Sequence, residues 1–236
     1  MCQQGFSQAV NYGFISDSYQ RDFIGQFGNE KQWGIKPIND SVHLQNPLSE
    51  ELNAMRCSLL PGLFKNLVHN FRHGNSLGRL FELGHVFYKA ENADPKDNQY
   101  GQDLHISGVA WGQRDLLWQK DIKRPVVYDL KSALENLLDL LQITSYQWRD
   151  FSEGDVPKFL HPGQCAYLFV EGRSVGVLGS LHPSLLEENK IRTDAAAFEW
   201  DVSKLMRGQP RVVKAQKLSK FPSVQRDFAF LMDSEK

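Results

Sequence analysis

The chain lacks paired cysteine motifs and long apolar runs. Its 236 residues contain three cysteines, Cys2, Cys57 and Cys165, and none of them forms a Cys-x-x-Cys pair. Scattered cysteines in an odd number are typical of a reducing compartment, so we expect a cytoplasmic protein. No apolar run approaches the length of a membrane-spanning helix, so the sequence does not predict a membrane as a partner.

A strong excess of charge of either sign is also absent. The 27 basic side chains nearly balance the 28 acidic ones, and the formal net charge at pH 7 is -1. This balance argues against a chain whose main task is to wrap nucleic acid, because counterion release needs clustered Lys and Arg. It leaves room for a modest basic patch. Hydrophobic residues make up 41% of the chain, which is enough for a sizeable packed core.

Predicted strands and helices alternate along the chain. One strand starts at Arg79 and gives way to a polar loop at 91–103. The other predicted strands are 6–15, 104–111, 146–151, 165–170, 174–181 and 196–201. Helical patterns lie between these strands. This order indicates an α+β fold, in which helices pack on a mostly antiparallel sheet.

Two longer helices are predicted from apolar residues at helical spacing. Ser58 is expected to cap the start of the first helix, and Gly74 to close it. Asp129 is expected to cap the second helix. The face of the first helix that should be buried carries Leu60, Leu63, Phe64, Leu67, Val68 and Phe71.

The chain is predicted to contain a core domain, a linker and the start of another domain. We expect the core at 1–208, a polar linker at 209–217, and a truncated first strand of the next domain at 218–236. Residues 227–232 have the pattern of a strand, and a solitary strand cannot bury its own face. The chain is therefore expected to be cut inside that next domain.

Histidines at metal-ligand spacing occur once on the first predicted helix. His69 and His73 are four residues apart, but neither a third ligand nor a His-Glu-x-x-His pattern accompanies them. Both lie on the polar side of an amphipathic helix, so we expect them to face solvent. The sequence does not predict a metal site.

A few charged residues interrupt otherwise apolar stretches. Arg56 precedes the first long helix, and Arg79 and Glu82 lie in the strand that follows it. Because Arg79 and Glu82 are an odd number of positions apart, they should point to opposite faces of a sheet, and only one can line a cleft. Buried charges need partners, so structural ion pairs are the favoured interpretation and a cleft is the alternative.

Several segments stand out along the chain. They are 5–14 (GFSQAVNYGF), 46–49 (NPLS), 55–63 (MRCSLLPGL), 79–87 (RLFELGHVF), 128–131 (YDLK), 160–164 (LHPGQ), 176–179 (GVLG), 181–183 (LHP), 198–201 (FEWD) and 219–227 (SKFPSVQRD). Together, in order, they resemble the β subunits of bacterial phenylalanyl-tRNA synthetases, and the resemblance covers nearly the whole chain. It implies a class II synthetase-like fold for the core, with an antiparallel sheet flanked by helices. It also implies that 218–236 begin a ferredoxin-like anticodon-binding domain.

The resemblance also implies a catalytic-like site that lacks the residues needed for catalysis. In active class II synthetases the second motif ends in Phe-Arg-x-Glu, and its arginine contacts the ATP α-phosphate. The corresponding position in this chain is Tyr88, which offers no guanidinium to a phosphate. The third motif corresponds to 196–201, where Glu199 lies and where a glycine run and an arginine are missing. The remnant of the second motif comprises Arg79, Glu82, Tyr88, Lys89 and Glu91.

The function implied is that of a non-catalytic scaffold. We expect no catalytic residue in this chain and no activity of the chain alone. The parent assembly would use ATP and magnesium, an α subunit and tRNA(Phe) to attach phenylalanine to the tRNA. Two alternatives remain. One is a tRNA-binding module that uses Lys217, Lys220 and Arg226, and the other is a stand-alone ligase with a variant site around Arg56, Glu82 and Lys89.

Overall fold

The computed structural model describes residues 1–25, 41–89, 100–113, 124–151, 155–207 and 224–231. The strands in these ranges are β1 (Ser7–Gln8), β2 (Phe14–Ile15), β3 (Ala54–Met55), β4 (Gly78–Lys89), β5 (Tyr100–Trp111), β6 (Tyr146–Arg149), β7 (Leu160–Val170), β8 (Arg173–Leu181) and β9 (Ala195–Asp201). The α-helices are α1 (Asp17–Ile24), α2 (Leu60–Arg72), α3 (Val126–Leu140), α4 (Pro183–Glu188) and α5 (Val202–Leu205).

One large sheet organises the described residues. Its seven strands lie in the order β1-β4-β5-β9-β8-β7-β6, and β2 pairs with β3 separately. The neighbouring strands of the large sheet are antiparallel, except that β1 runs parallel to β4. Helices pack on this sheet, so the predicted α+β class and the antiparallel sheet flanked by helices are confirmed.

Each face of the sheet is covered by one long helix, because alternate residues of a strand point to opposite sides. The α2 face carries Val86, Val109, Trp111, Ala195 and Ala197, and its core also contains residues from α1 and α2. The α3 face carries Phe81, Ala110, Ala196, Phe198 and Trp200, and its core also contains residues from α3. The sheet therefore separates two apolar cores.

The buried face of α2 agrees with the predicted pattern. Leu60, Leu63, Phe64 and Leu67 are buried in the core of the α2 face, and Val68 and Phe71 are partly buried against it. The helix ends at Arg72, and Gly74 follows with φ of 88°. This left-handed conformation is one that glycine adopts without a steric penalty, so the predicted closing residue is explained.

The start of α3 differs from the prediction. Asp129 was expected as the cap, but the helix begins at Val126, after Pro125, and Asp129 lies within its first turn. The backbone N–H of Val126 instead donates to Asp194 Oδ2 at 2.7 Å. The carboxylate that satisfies the helix start is thus 68 residues away along the chain, where local sequence patterns cannot indicate it.

Several predicted strands have different bounds in the structure. The strand expected at 165–170 begins at Leu160, and the one expected at 146–151 ends at Arg149. The expected strand at 6–15 is divided into β1 and β2, which belong to different sheets. The expected polar loop up to residue 103 ends earlier, because β5 begins at Tyr100 and pairs with β4 as far as Lys89. This extension of β5 brings Asp103 into the sheet.

The C-terminal part of the chain is described only in part. The predicted linker at 209–217 lies outside the described residues, so the domain division stays a prediction. The described residues 224–231 contain no helix or strand, which differs from the strand expected at 227–232. The side chains of Phe228, Phe230 and Leu231 are exposed there. No helix in the described part of the chain is both long and apolar enough to cross a membrane.

Alanine substitutions in α2 should distinguish buried core side chains from exposed ones by their effect on stability. Leu67 is fully buried in the core of the α2 face. Leu67→Ala is therefore expected to lower the free energy of unfolding by on the order of 2–5 kcal/mol, because it removes buried methyl groups and leaves a cavity. Urea unfolding followed by circular dichroism measures this change.

Two substitutions serve as controls for Leu67→Ala. Leu140→Ala makes the same chemical change in α3 at a side chain that is 75% exposed. His69→Ala alters an exposed position of α2 itself. Each should change stability by about 0.5 kcal/mol or less. A loss at His69 as large as that at Leu67 would contradict the assignment of the buried face.

Candidate functional site

The residues predicted as remnants of the second motif lie on both faces of β4. Glu82 and Tyr88 are an even number of positions apart and share the α2 face, whereas Arg79 lies on the opposite side. Arg79 Nη2 pairs with Asp129 Oδ2 of α3 at 2.8 Å. Lys89 is exposed and, as the neighbour of Tyr88 in an extended strand, points away from it. The structure therefore does not gather these side chains into one cleft.

Arg56 and Glu82 form a buried ion pair on the α2 face. Arg56 Nη1 lies 2.6 Å from Glu82 Oε1, and Arg56 Nε donates to the carbonyl of His85 at 2.9 Å. Glu82 Oε2 also accepts from the side-chain amide of Asn11 at 2.7 Å. A side chain at Gly84 would collide with the guanidinium of Arg56. Both charges are thus held in one arrangement with hydrogen-bonded partners.

Tyr88 lies at the rim of the same face. Its side chain is partly buried, and its hydroxyl donates to Asp103 Oδ1 at 3.4 Å across the β4–β5 pair. Burial, together with the negative charges of Asp103 and Asp201, raises the pKa of Tyr88 above its usual value. The ring lies over Gly101, where a side chain would collide with it. The residue at this position is therefore a neutral phenol at pH 7, and it faces a carboxylate.

Glu199 is the centre of a buried hydrogen-bond network. It lies on β9, facing α2, and none of its surface is exposed. Oε2 accepts from the Ser58 hydroxyl at 2.6 Å and from the backbone N–H of Leu60 at 3.2 Å, while the N–H of Leu59 reaches both oxygens. The carboxylate of a strand thus satisfies the start of α2, where free N–H groups and the helix dipole favour a negative charge.

Ser58 was expected to cap α2 alone, and the structure corrects this. The helix begins at Leu60, with Leu59 at the cap position. Ser58 therefore lies one residue earlier, from where its hydroxyl accepts from the N–H of Leu60 at 3.1 Å and donates to Glu199. The capping group is shared between a local hydroxyl and a carboxylate about 140 residues away.

His105 connects Glu199 to a pair of aspartates. Its Nδ1 lies 2.7 Å from Glu199 Oε1, and the imidazole is fully buried. Since a carboxylate only accepts hydrogen bonds, this contact places a proton on Nδ1. Nε2 is buried and has no hydrogen-bond partner among the described residues. His105, Asp103 and Asp201 offer potential ligand atoms that all lie within 4.8 Å of one another.

Asp201 also organises the chain after β9. Its Oδ1 accepts from the backbone N–H of Lys204 at 3.0 Å and so caps α5, and its Oδ2 lies 3.3 Å from Lys204 Nζ. The side chain of Asp201 is 2% exposed, whereas that of Lys204 is 33% exposed. The Tyr88 corner, defined by Tyr88, Asp103, His105 and Asp201, therefore contains two carboxylates side by side.

Of the remaining predicted positions, those that the structure describes do not join this corner. Glu91, Lys217 and Lys220 lie outside the described residues. Arg226 lies in the described segment 224–231 and is exposed. The histidines at metal spacing, His69 and His73, are exposed on α2, with ring centroids 4.1 Å apart, as the sequence predicted for a solvent-facing pair.

Asp103 and His105 were not predicted as site residues, although the sequence contains a signal for them. Asp103, His105 and Ser107 alternate along β5, and Glu199 and Asp201 do the same on β9. Polar residues at every second position of adjacent strands lie on one face and meet across the pair. Placing Asp103 in a loop concealed this pattern.

Comparison with known proteins identifies relatives over almost the entire chain. The family model described as the phenylalanyl tRNA synthetase beta chain CLM domain matches residues 1–202. A "Phenylalanine--tRNA ligase beta subunit" from Bdellovibrio bacteriovorus is 46% identical over 230 residues, which are 97% of this chain and 28% of that protein. One from Coxiella burnetii is 34% identical over 236 residues, which are 100% of this chain and 27% of that protein.

Solved structures show a related fold at low sequence identity. Two structures of pyrrolysyl-tRNA synthetase from Desulfitobacterium hafniense superpose with TM-scores of 0.56 and 0.58, at 16% identity. Each match covers 87% of this chain, and 63% or 64% of the other chain. At this identity the likeness shows the class II synthetase-like fold alone.

Removal of the negative charge of Glu199 should destabilise the core. In Glu199→Gln, the amide nitrogen cannot accept hydrogen bonds from Ser58 or from the start of α2. We expect a loss in the free energy of unfolding on the order of 2–3 kcal/mol, because buried donors are left without acceptors. Thermal and urea unfolding measure it.

Glu188→Gln is the matched control for Glu199→Gln. Glu188 is exposed at the end of α4, so the same chemical change should alter stability by about 0.5 kcal/mol or less. Equal stability of the two variants would show that Glu199 does not hold the start of α2.

Proposed function

The chain belongs to the phenylalanyl-tRNA synthetase beta chain CLM-domain family, and from this premise we propose that it is a non-catalytic, catalytic-like scaffold. Its role is to support the α subunit of a phenylalanine–tRNA ligase in the ATP-dependent attachment of phenylalanine to tRNA(Phe). The α subunit supplies the catalytic groups. The chain spans about 28% of the length of its Bdellovibrio relative, so this role is one part of a larger assembly.

The burial of β9 is the observation that carries this proposal. The strand corresponds to the third motif by resemblance, and all seven of its residues are buried. On the α2 face, Ala195 and Ala197 pack in the core and Glu199 is bonded to the start of α2. A strand that lines a nucleotide site must expose part of its surface to the ligand. The surface of β9 is instead used to hold helices.

The Tyr88 corner supports the same conclusion. An active class II enzyme places an arginine against the ATP α-phosphate at this position, whereas Tyr88 is a neutral phenol that donates to Asp103. The carboxylates of Asp103 and Asp201 lie beside it and would repel a phosphate. The residues of this corner therefore do not fit an ATP site, and in our proposal ATP and magnesium bind elsewhere in the parent assembly.

The ion pairs fit a supporting role better than a variant active site. The Arg56–Glu82 pair is buried and bonded to Asn11 and to the backbone of His85. Charges that take part in a reaction need access to a substrate, whereas these have their hydrogen-bonding groups directed at the protein. Lys89, which a stand-alone ligase would need beside them, points away from the α2 face.

Pyrophosphate exchange tests the absence of catalysis. The purified chain with phenylalanine, magnesium and ATP is expected to show no exchange above background. Tyr88→Arg should not restore it, because β9 would remain buried. The assembly with the α subunit is the positive control. Phenylalanine-dependent exchange by the chain alone would refute the proposal.

The scaffold role has its own readout in the assembly. With the α subunit present, Tyr88→Phe should leave kcat and KM for aminoacylation within about twofold, because the hydroxyl touches no substrate. Glu199→Gln should instead reduce the yield of assembled enzyme more than the kcat of each assembled molecule. A large fall in kcat for Tyr88→Phe would indicate a catalytic contribution.

A contact with tRNA is a second candidate function, and one surface favours it. A depression of about 380 Å³ is lined by Tyr167, Phe169, Gly172, Arg173, Ser174, Lys204 and Arg207. The guanidinium of Arg149 lies 3.7 Å from the centroid of the Phe169 ring. Tyr167 and Phe169 are half-buried, and cationic groups beside aromatic rings suit the phosphates and bases of unpaired RNA.

Charge reversal tests this contact with tRNA. Arg173→Glu combined with Arg207→Glu should weaken the binding of tRNA(Phe) to the chain by at least about tenfold and reduce the salt dependence of binding. Fluorescence anisotropy at several salt concentrations measures both. Lys65→Glu, an exposed charge reversal on α2, is the control and should have little effect. Equal binding of tRNA(Phe) by the unaltered chain, the double variant and Lys65→Glu would exclude the depression as a tRNA contact.

A further inference from the structure

We propose that Asp103, His105 and Asp201 form a binding site for a divalent transition-metal ion such as Zn²⁺ or Mn²⁺. Each residue offers a ligand atom, and these atoms lie within 4.8 Å of one another. Zinc and manganese bind nitrogen and oxygen ligands at about 2 Å, so modest rotations of the two carboxylates would complete the site. This proposal does not depend on the role proposed for the chain in the synthetase.

The backbone of the sheet places the three residues together. His105 and Asp201 are paired across β5 and β9. Asp103 lies two residues from His105 on the same strand, so its side chain points to the same face. Two residues are thus anchored on central strands, and the third is near the rim, where it is partly exposed. The site is therefore held by the pairing of the strands that carry it.

The imidazole of His105 is oriented so that Nε2 can coordinate a metal ion. Its Nδ1 is held by Glu199 at 2.7 Å, so Nε2 is the nitrogen left for the two aspartates. Within the part of the chain that the structure describes, the buried Nε2 has no hydrogen-bond partner, which is a costly state for a polar atom. With the proton on Nδ1, Nε2 carries the free lone pair that a metal requires. A carboxylate that orients a metal-binding histidine through its other nitrogen is a common outer-shell arrangement.

The charges around the site favour a cation. Asp103 and Asp201 are both acidic, and the Tyr88 hydroxyl donates to Asp103. Lys204 competes for the site, because its Nζ lies 3.3 Å from Asp201 Oδ2. That contact is partly exposed and therefore weak, so a divalent ion can replace it. Imidazole with carboxylates suits zinc or manganese better than calcium or magnesium, which prefer oxygen ligands alone.

The ion would have a structural effect. It would join β5 to the end of β9, immediately before α5, and would satisfy the buried nitrogen of His105. We therefore expect binding to stabilise the fold without conferring a reaction. The two aspartates would also no longer repel each other across the rim.

Metal titration of the chelator-treated chain tests the site. Zn²⁺ or Mn²⁺ at a hundredfold excess over Kd should raise Tm by about 5 °C or more, with one ion bound per chain by calorimetry. Mg²⁺ and Ca²⁺ at the same concentration should raise Tm less. Co²⁺ should give a visible absorption band from nitrogen and oxygen ligation. No binding of Zn²⁺ or Mn²⁺ by the unaltered chain would overturn the proposal without the need for a variant.

Substitutions locate the ion. Asp103→Asn removes a charged ligand at a partly exposed position and should weaken binding by at least about tenfold. Asp139→Asn makes the same change at an exposed position of α3 and should leave affinity unchanged. The double variant His69→Ala with His73→Ala removes the exposed histidine pair at metal-ligand spacing, and Cys2→Ser removes an exposed thiol; both should also bind normally. Loss of binding in either of these, or normal binding by Asp103→Asn, would refute the site.

Discussion

The buried carboxylate of Glu199 is the interaction on which the α2 side of the molecule depends. It lies on a central strand, yet it accepts hydrogen bonds from Ser58, Leu59, Leu60 and His105. A buried carboxylate is destabilising unless donors surround it, and the start of a helix supplies donors at fixed positions. The carboxylate of β9 therefore supplies acceptors for the start of α2, and the N–H groups of α2 supply donors for the carboxylate. These hydrogen bonds hold the start of α2 at one position on the sheet.

The same requirement explains how charge is distributed elsewhere in the fold. Arg56 lies with Glu82 on the α2 face, and Arg79 lies with Asp129 on the α3 face. Each pair connects β4 to another part of the chain. The buried charges of these pairs need partners, because an unpaired charge in an apolar core is strongly destabilising. These charged residues of the sheet thus serve to connect elements of the fold.

Sequence patterns predicted what local physics determines. The buried face of α2 and its closing glycine followed from helical spacing and backbone preference. The opposite orientations of Arg79 and Glu82 followed from strand alternation, whereas the assignment of Tyr88 to a motif position stays a prediction. The start of α3 was predicted wrongly, because its acceptor is Asp194 rather than Asp129. The cluster around His105 was missed for a similar reason, since its members meet only when β5 and β9 pair.

The long-range acceptors at the starts of α2 and α3 have a consequence for synthesis of the protein. Both helices are complete in sequence long before residues 194–199 leave the ribosome, yet the N–H groups of Leu60 and Val126 have long-range acceptors, Glu199 and Asp194, in that late segment. The Ser58 hydroxyl is a local acceptor for Leu60, but the apolar faces of α2 and α3 are fully covered only once the central strand β9 has been made. Folding of this domain is consequently a late and cooperative event, and the nascent chain exposes aggregation-prone surface until then.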